Sequence, residues 1–123
     1  MATWAKVSAD LESRFAVLSK TQDALVLELD NASRAQTVVV SHTALANGAW
    51  ISIFSPVCKL DDVAAETLLL AASETIFGTW IVEEFYGLIH SMPIENLDDN
   101  ELNEPLQLLM QAADKLERKL TGR

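Results

Sequence analysis

The chain has 123 residues, enough for one hydrophobic core and too few for two sizeable ones, so a single domain over residues 1–123 is expected. Half of the residues are hydrophobic and 22% are charged, which excludes the low-hydrophobicity regime of disordered chains. Eighteen acidic against nine basic residues give a formal charge of -9, which repels phosphate backbones and anionic membrane surfaces and argues against nucleic acid as a partner. The same charge suits a basic or apolar protein segment, although acidity by itself is common in soluble proteins.

Trp4, Val7, Leu11, Phe15 and Leu18 recur at helical spacing, with Lys6, Asp10, Glu12, Ser13 and Arg14 between them, and predict an amphipathic first helix. From Asp23 to Asp30 the pattern alternates, placing Leu25, Leu27 and Leu29 on one side, and Asp30-Asn31-Ala32-Ser33 supplies turn chemistry. The β-branched run Thr37 to Val40 predicts a second strand. Asn47-Gly48 then falls in a somewhat longer loop before a third strand from Ala49 to about Val57. Pro56 cannot donate a ladder hydrogen bond and is expected at a strand end or edge.

Asp61, Asp62 and Glu66 supply the negative charge a helix start favours, and Gly78 suits a left-handed stop, so a second helix is predicted from about Asp61 to Ile76. Its apolar residues cover more of the circumference than one sheet face can bury. The excess points to a second copy of the chain, with Leu68, Leu69 and Ala72 as the expected dimer-interface residues. Trp80 to Phe85 and Leu88 to Met92 read as a hairpin around Tyr86-Gly87, ended by Pro93. Phe85 and Tyr86 would then sit at its tip as an aromatic pair able to anchor a protein partner. A closing helix carries Leu102, Leu106, Leu109, Ala113, Leu116 and Leu120. Asp98, Asp99, Glu101 and Glu104 precede or open it, and Lys115, Arg118, Lys119 and Arg123 stand in its last turns. Pro105 is tolerated only in the first turn, so this helix starts between Asn100 and Glu104.

The order is α-β-β-β-α-β-β-α, an α+β fold with an antiparallel sheet and helices packed on it, because hairpin-length connections do not make parallel crossovers. This order, together with Trp50-Ile51-Ser52-Ile53-Phe54-Ser55-Pro56-Val57, Gly78-Thr79-Trp80, Gly87-Leu88-Ile89 and Met92-Pro93-Ile94 leading through Leu97 and Asp98 into the last helix, resembles the type III secretion chaperone-like fold, and within it the YbjN-type branch of bacterial proteins. The resemblance implies a homodimer that binds an extended or helical segment of another protein, with no nucleotide, metal or other cofactor. It does not tie the chain to a secretion system.

No catalytic fingerprint stands out. Glu83 and Glu84 are neighbours in an expected strand and would point to opposite faces, so they cannot flank one substrate bond. His42, His90 and Cys58 fall on separate elements without ligand spacing, and no metal site is expected from them. The serines Ser8, Ser41 and Ser55 lack a nucleophile-elbow context, and the four glycines form no phosphate loop. With Cys58 as the only cysteine, an intrachain disulfide is excluded and a reducing, cytoplasmic compartment is expected. No stretch approaches the about 20 apolar residues that cross a bilayer, and Met1 to Leu11 lacks the basic start and continuous apolar run of a signal peptide, so neither export nor membrane insertion is expected. The sequence thus leads to a noncatalytic chaperone-like or adaptor protein. The alternatives are a small-molecule-binding regulatory domain or an accessory subunit of a larger bacterial complex.

Overall fold

A computed structural model describes residues 2–32, 34–97 and 101–122. Helix α1 (Trp4–Arg14) is followed by four strands, β1 (Ala16–Lys20), β2 (Ala24–Asn31), β3 (Arg34–Leu45) and β4 (Gly48–Lys59). Then come helix α2 (Ala65–Ala72), strands β5 (Gly78–Val82) and β6 (Phe85–Pro93), a short 3-10 turn at Ile94–Asn96, and helix α3 (Asn103–Thr121). The strands form one six-stranded sheet in the order β1-β2-β3-β4-β6-β5, with every neighbouring pair antiparallel. The α+β class and the antiparallel sheet are as the sequence predicts. The element order gains one strand.

That extra strand is β1. The first helix stops at Arg14, because Phe15 turns into extended backbone and Ala16–Lys20 pair with β2. Leu18 satisfies the helical spacing but lies on this strand, exposed. Only sheet formation with β2 distinguishes the two readings, and local spacing carries no information about it. Helix α1 itself is capped by the Thr3 hydroxyl, which accepts from the Lys6 amide, and it buries Leu11.

Alternation along the strands builds the core. Leu25, Leu27 and Leu29 on β2 share a face with Val40, Val38 and Gln36, their partners on β3. Ile53 follows on β4 opposite Val40. Leu106, Leu109, Met110, Ala113 and Leu116 of α3 are buried in the same core. Pro105 is the third residue of α3, within its first turn, where its missing amide hydrogen costs nothing. Ser33, which belongs to the expected turn after Asp30, and Asp98, Asp99 and Arg123, whose charges were assigned to the ends of the last helix, lie outside the described residues.

Pro56 departs from expectation, since it lies within β4, a strand flanked on both sides. The β3–β4 register ends at Val39 opposite Phe54, so the position of Pro56 demands no ladder bond toward β3. Side chains replace the ladder there. Ser55 Oγ donates to the Thr37 carbonyl at 2.7 Å, and Gln36 Nε2 donates to Ser55 Oγ at 3.1 Å and to the Pro56 carbonyl at 2.9 Å. The register on the other side shifts between Pro56 and Cys58, a bulge beside the proline. These bonds account for two buried polar residues, Gln36 and Ser55.

Three hairpins also differ in detail. Leu45 pairs with Gly48 around a two-residue turn, shorter than the expected loop, and Gly48 takes φ 134. Asn31 pairs with Arg34, and Ala32 takes φ 58. The β5–β6 turn is Glu83-Glu84, not Tyr86-Gly87, with Glu83 at φ 55. Gly87 instead sits inside β6, where the ring of Phe54 lies directly over it.

Candidate functional site

The second helix is the element on which the interface expectation rests, and it is shorter than the sequence indicates. Asp62 does not open it. Its carboxylate accepts from the Lys59 amide at 3.1 Å in a turn, while the extended backbone of Ala64 delays the helix to Ala65. At the other end the Ser73 hydroxyl donates to the Leu70 carbonyl at 2.6 Å and the Thr75 hydroxyl to the Ala72 carbonyl at 2.9 Å. These local bonds compete with further helical turns, so the helix ends at Ala72 and Gly78 opens β5 instead of serving as a cap.

This phase decides which residues face outward. Of the three expected interface residues, Leu68 and Ala72 are 2% and 3% exposed and pack into the protomer's own core. Leu69 is 54% exposed, and Leu70 is exposed beside it. Strand β5, at the end of the sheet, presents Trp80 at 57% and Ile81 at 55% exposure. Between helix and strand runs an open groove of about 410 Å³ lined by Ala65, Leu68, Leu69, Thr79, Trp80, Ile81 and Tyr86. None of its lining side chains is charged, and Leu69, Trp80 and Ile81 bring exposed apolar surface to it. Exposed apolar side chains beside an unpaired strand edge are a feature that monomeric proteins tend to avoid.

Phe85 and Tyr86 open β6 and are both half-buried. As neighbours on a strand they point to opposite faces. Tyr86 lines the apolar groove, whereas Phe85 lines a separate cavity of about 510 Å³ at the far end of β3 and β4. They do not form one exposed pair. Glu83 and Glu84 occupy the exposed hairpin turn. The Glu84 carbonyl accepts from the Leu60 amide at 2.8 Å, which ties the turn to the end of β4.

The larger cavity is polar. Arg34, Gln36, Lys59, Asp62 and Glu117 line it together with Cys58. Beside it stands a charge cluster the sequence reading did not find. Asp114 of α3 is buried, and its carboxylate accepts from Asn31 Nδ2 at 2.8 Å and lies 3.2 Å from Arg34 Nε and from an Arg118 guanidinium nitrogen. Arg34 also meets Glu117 at 2.5 Å. The cluster fastens the β2–β3 turn to the last turns of α3. Its signal in the sequence was an acid in register with Leu106 and Met110, at steps of four, on the face that packs inward.

The two histidines are far from this region in role. His42 stacks on Trp4, with ring centroids 5.6 Å apart, and its Nδ1 is 3.5 Å from Asp23 Oδ1. His90 meets the edge of Phe77 at 6.0 Å. Cys58 is buried and takes part in no disulfide. Among the described residues, no group of three or more His, Cys, Asp or Glu side chains is arranged to hold a metal ion, and no helix is long and apolar enough to cross a membrane. No protein-family model and no curated protein matches the chain.

Proposed function

We propose that this chain is a noncatalytic protein-binding protein of the chaperone-like or adaptor kind, a homodimer of the bacterial cytoplasm built on the type III secretion chaperone-like, YbjN-type plan. The observation that carries the reading is the apolar surface shared by α2 and β5, where Leu69, Trp80 and Ile81 stand exposed along a groove without charged lining. Clusters of this kind are poorly tolerated on a protein that acts alone. The net charge of -9 further favours protein segments over nucleic acid. Affinity capture from the native cell, run in parallel with wild type and with Leu69→Glu as bait, tests the reading. Proteins retained by wild type and lost with the variant support it, and identical captures contradict it.

A second reading, a small-molecule-binding regulatory domain, is favoured by the polar cavity of about 510 Å³, in which Arg34, Lys59 and Gln36 stand near Asp62 and Glu117. A metabolite bound there raises the thermal stability of the wild type and not of Lys59→Ala. A screen that raises neither leaves the protein-binding reading in place.

A further inference from the structure

We propose that the polar cavity between β3 and β4 is a binding site for the C-terminal residues of another polypeptide, which enter it as a short strand parallel to β3. The site is separate from the α2–β5 groove and does not depend on that groove binding protein.

The cavity exists because the sheet splits. From Leu45 and Gly48 to Val39 and Phe54 the two strands are in register, and beyond Phe54 they are not. Pro56 has no amide hydrogen to continue the ladder, and the bulge that follows it changes which way β4 faces. Cys58 is in register with Tyr86, on the β6 side. The Lys59 amide donates to the Asp62 carboxylate at 3.1 Å, and the Lys59 carbonyl accepts from the Asp62 amide at 3.0 Å. Strand β4 is thus committed elsewhere along the stretch where β3 runs from Arg34 to Thr37, and a cavity of about 510 Å³ opens between them.

The backbone of β3 faces that opening. The two-residue turn makes Leu45 and Gly48 a closing hydrogen-bonded pair. Counting by twos from Leu45 turns Val39, Thr37 and Ala35 toward β4, and leaves Val38 and Gln36 turned toward β2. The Thr37 carbonyl confirms the count, because it accepts from the Ser55 hydroxyl of β4 at 2.7 Å. Ala35 and Thr37 therefore present ladder groups to the cavity, with no residue of β4 in register. With the Thr37 carbonyl engaged by Ser55, the groups offered to a ligand are the Ala35 amide and carbonyl and the Thr37 amide.

That set fixes a direction. An antiparallel occupant places a residue opposite Thr37 that must donate to the Thr37 carbonyl, the group Ser55 uses. A parallel occupant needs one residue whose amide donates to the Ala35 carbonyl and whose own carbonyl oxygen accepts from the Thr37 amide. Such a strand enters at the end marked by Arg34 and Lys59 and runs toward Phe54, where β3 and β4 close together. Its last residue is the one at Thr37. The Gln36 amide, bonded to Ser55 Oγ and the Pro56 carbonyl, bars further chain. A chain that ends there carries a carboxylate, and the charges suit it. Two cationic side chains line the cavity. Arg34 is paired with Asp114 and Glu117, whereas Lys59 has no ion pair among the described residues. A terminal carboxylate that accepts from the Thr37 amide supplies Lys59 with its counter-ion.

Affinity selection on the full-length chain tests this with a defined probe, a mixture of N-acetylated pentapeptides randomised at every position, offered as free acids and separately as C-terminal amides. Mass spectrometry of the retained peptides should show the acids enriched at least tenfold over the amides. Lys59→Glu should lose that enrichment, and Lys6→Glu, the same charge change on α1, should keep it. No retention, equal retention of acids and amides, or equal retention of acids by wild type and Lys59→Glu overturns the proposal. Peptides kept by Lys59→Glu and lost with Leu69→Glu occupy the α2–β5 groove, a result that overturns the cavity site while the protein-binding reading stands. Amide hydrogen exchange on the wild type, followed by NMR, needs no variant to fold. Ala35 and Thr37 should exchange at least tenfold faster than Gln36 and Val38, and should slow when a retained pentapeptide is added. Amides at Ala35 and Thr37 as protected as those neighbours, or unchanged by the peptide, overturn the proposal.

Discussion

Replacing Gly87 by alanine tests the packing of the sheet at one atom. A Cβ at this position would overlap two ring carbons of Phe54 and lie 2.5 Å from the Ser55 carbonyl oxygen. The Phe54 ring is buried, and the Ser55 carbonyl is backbone of β4, so neither can yield without moving its neighbours. Overpacking of this kind costs about 1–3 kcal/mol, and displacement of the Phe54 ring adds a share of the about 1.5–3 kcal/mol that burying such a side chain contributes. The sum is about 2–4 kcal/mol. For a chain of this size each kcal/mol moves Tm by about 4 °C, which gives a fall of roughly 8–16 °C by calorimetry, and urea unfolding should return the same loss of about 2–4 kcal/mol. Gly78→Ala is the matched control, because its Cβ would meet Ile89 Cγ2 at 3.6 Å and the Ile89 carbonyl at 3.8 Å, ordinary contact distances. It should change stability by less than about 0.5 kcal/mol. A cycle with Phe54→Leu should show that Gly87→Ala costs less once the ring is gone. A Gly87→Ala variant as stable as Gly78→Ala would refute the argument that Gly87 is there to admit the ring.

The phase of α2 predicts that Leu68→Ala costs about 2–4 kcal/mol and Leu69→Ala less than about 1 kcal/mol, measured by urea denaturation at a concentration low enough to keep the chain monomeric. Leu69→Glu should lower association in sedimentation while leaving the far-ultraviolet circular dichroism unchanged. Asp114→Ala leaves Asn31 and two arginines facing an empty position, and because those arginines are partly exposed the cost should be about 1–3 kcal/mol, seen as a lower Tm. Glu83 holds φ 55, where a side chain is strained, so Glu83→Gly should match or exceed wild-type stability by up to about 1 kcal/mol in the same assay.

How far the sequence reaches can be followed residue by residue. Period-two alternation placed Leu25, Leu27 and Leu29 on one face, and period 3.6 placed Leu106, Leu109, Ala113 and Leu116 on the inward side of the last helix. Both patterns report burial directly, and both agree with the fold. The excess of apolar residues around the second helix was also visible, and Leu69 and Leu70 do remain outside. Which leucines would be left outside was not visible, since Leu68 and Leu69 differ only in helical phase against a sheet whose position the local sequence does not contain.

The amino-acid order alone determined the antiparallel α+β class, the inward faces of the long strands and last helix, and the acidic charge. Each depends on near-neighbour chemistry, on turn residues and repeating polarity. Tertiary structure decided the rest. Pairing with β2 drew Ala16–Lys20 out of the helical pattern, and the insertion of β6 between β4 and β5 left the apolar strand, not its partner, at the sheet edge. Contact across 83 positions joined Asn31 to Asp114. Such choices depend on competition between segments far apart in the chain, which no window of local sequence can weigh.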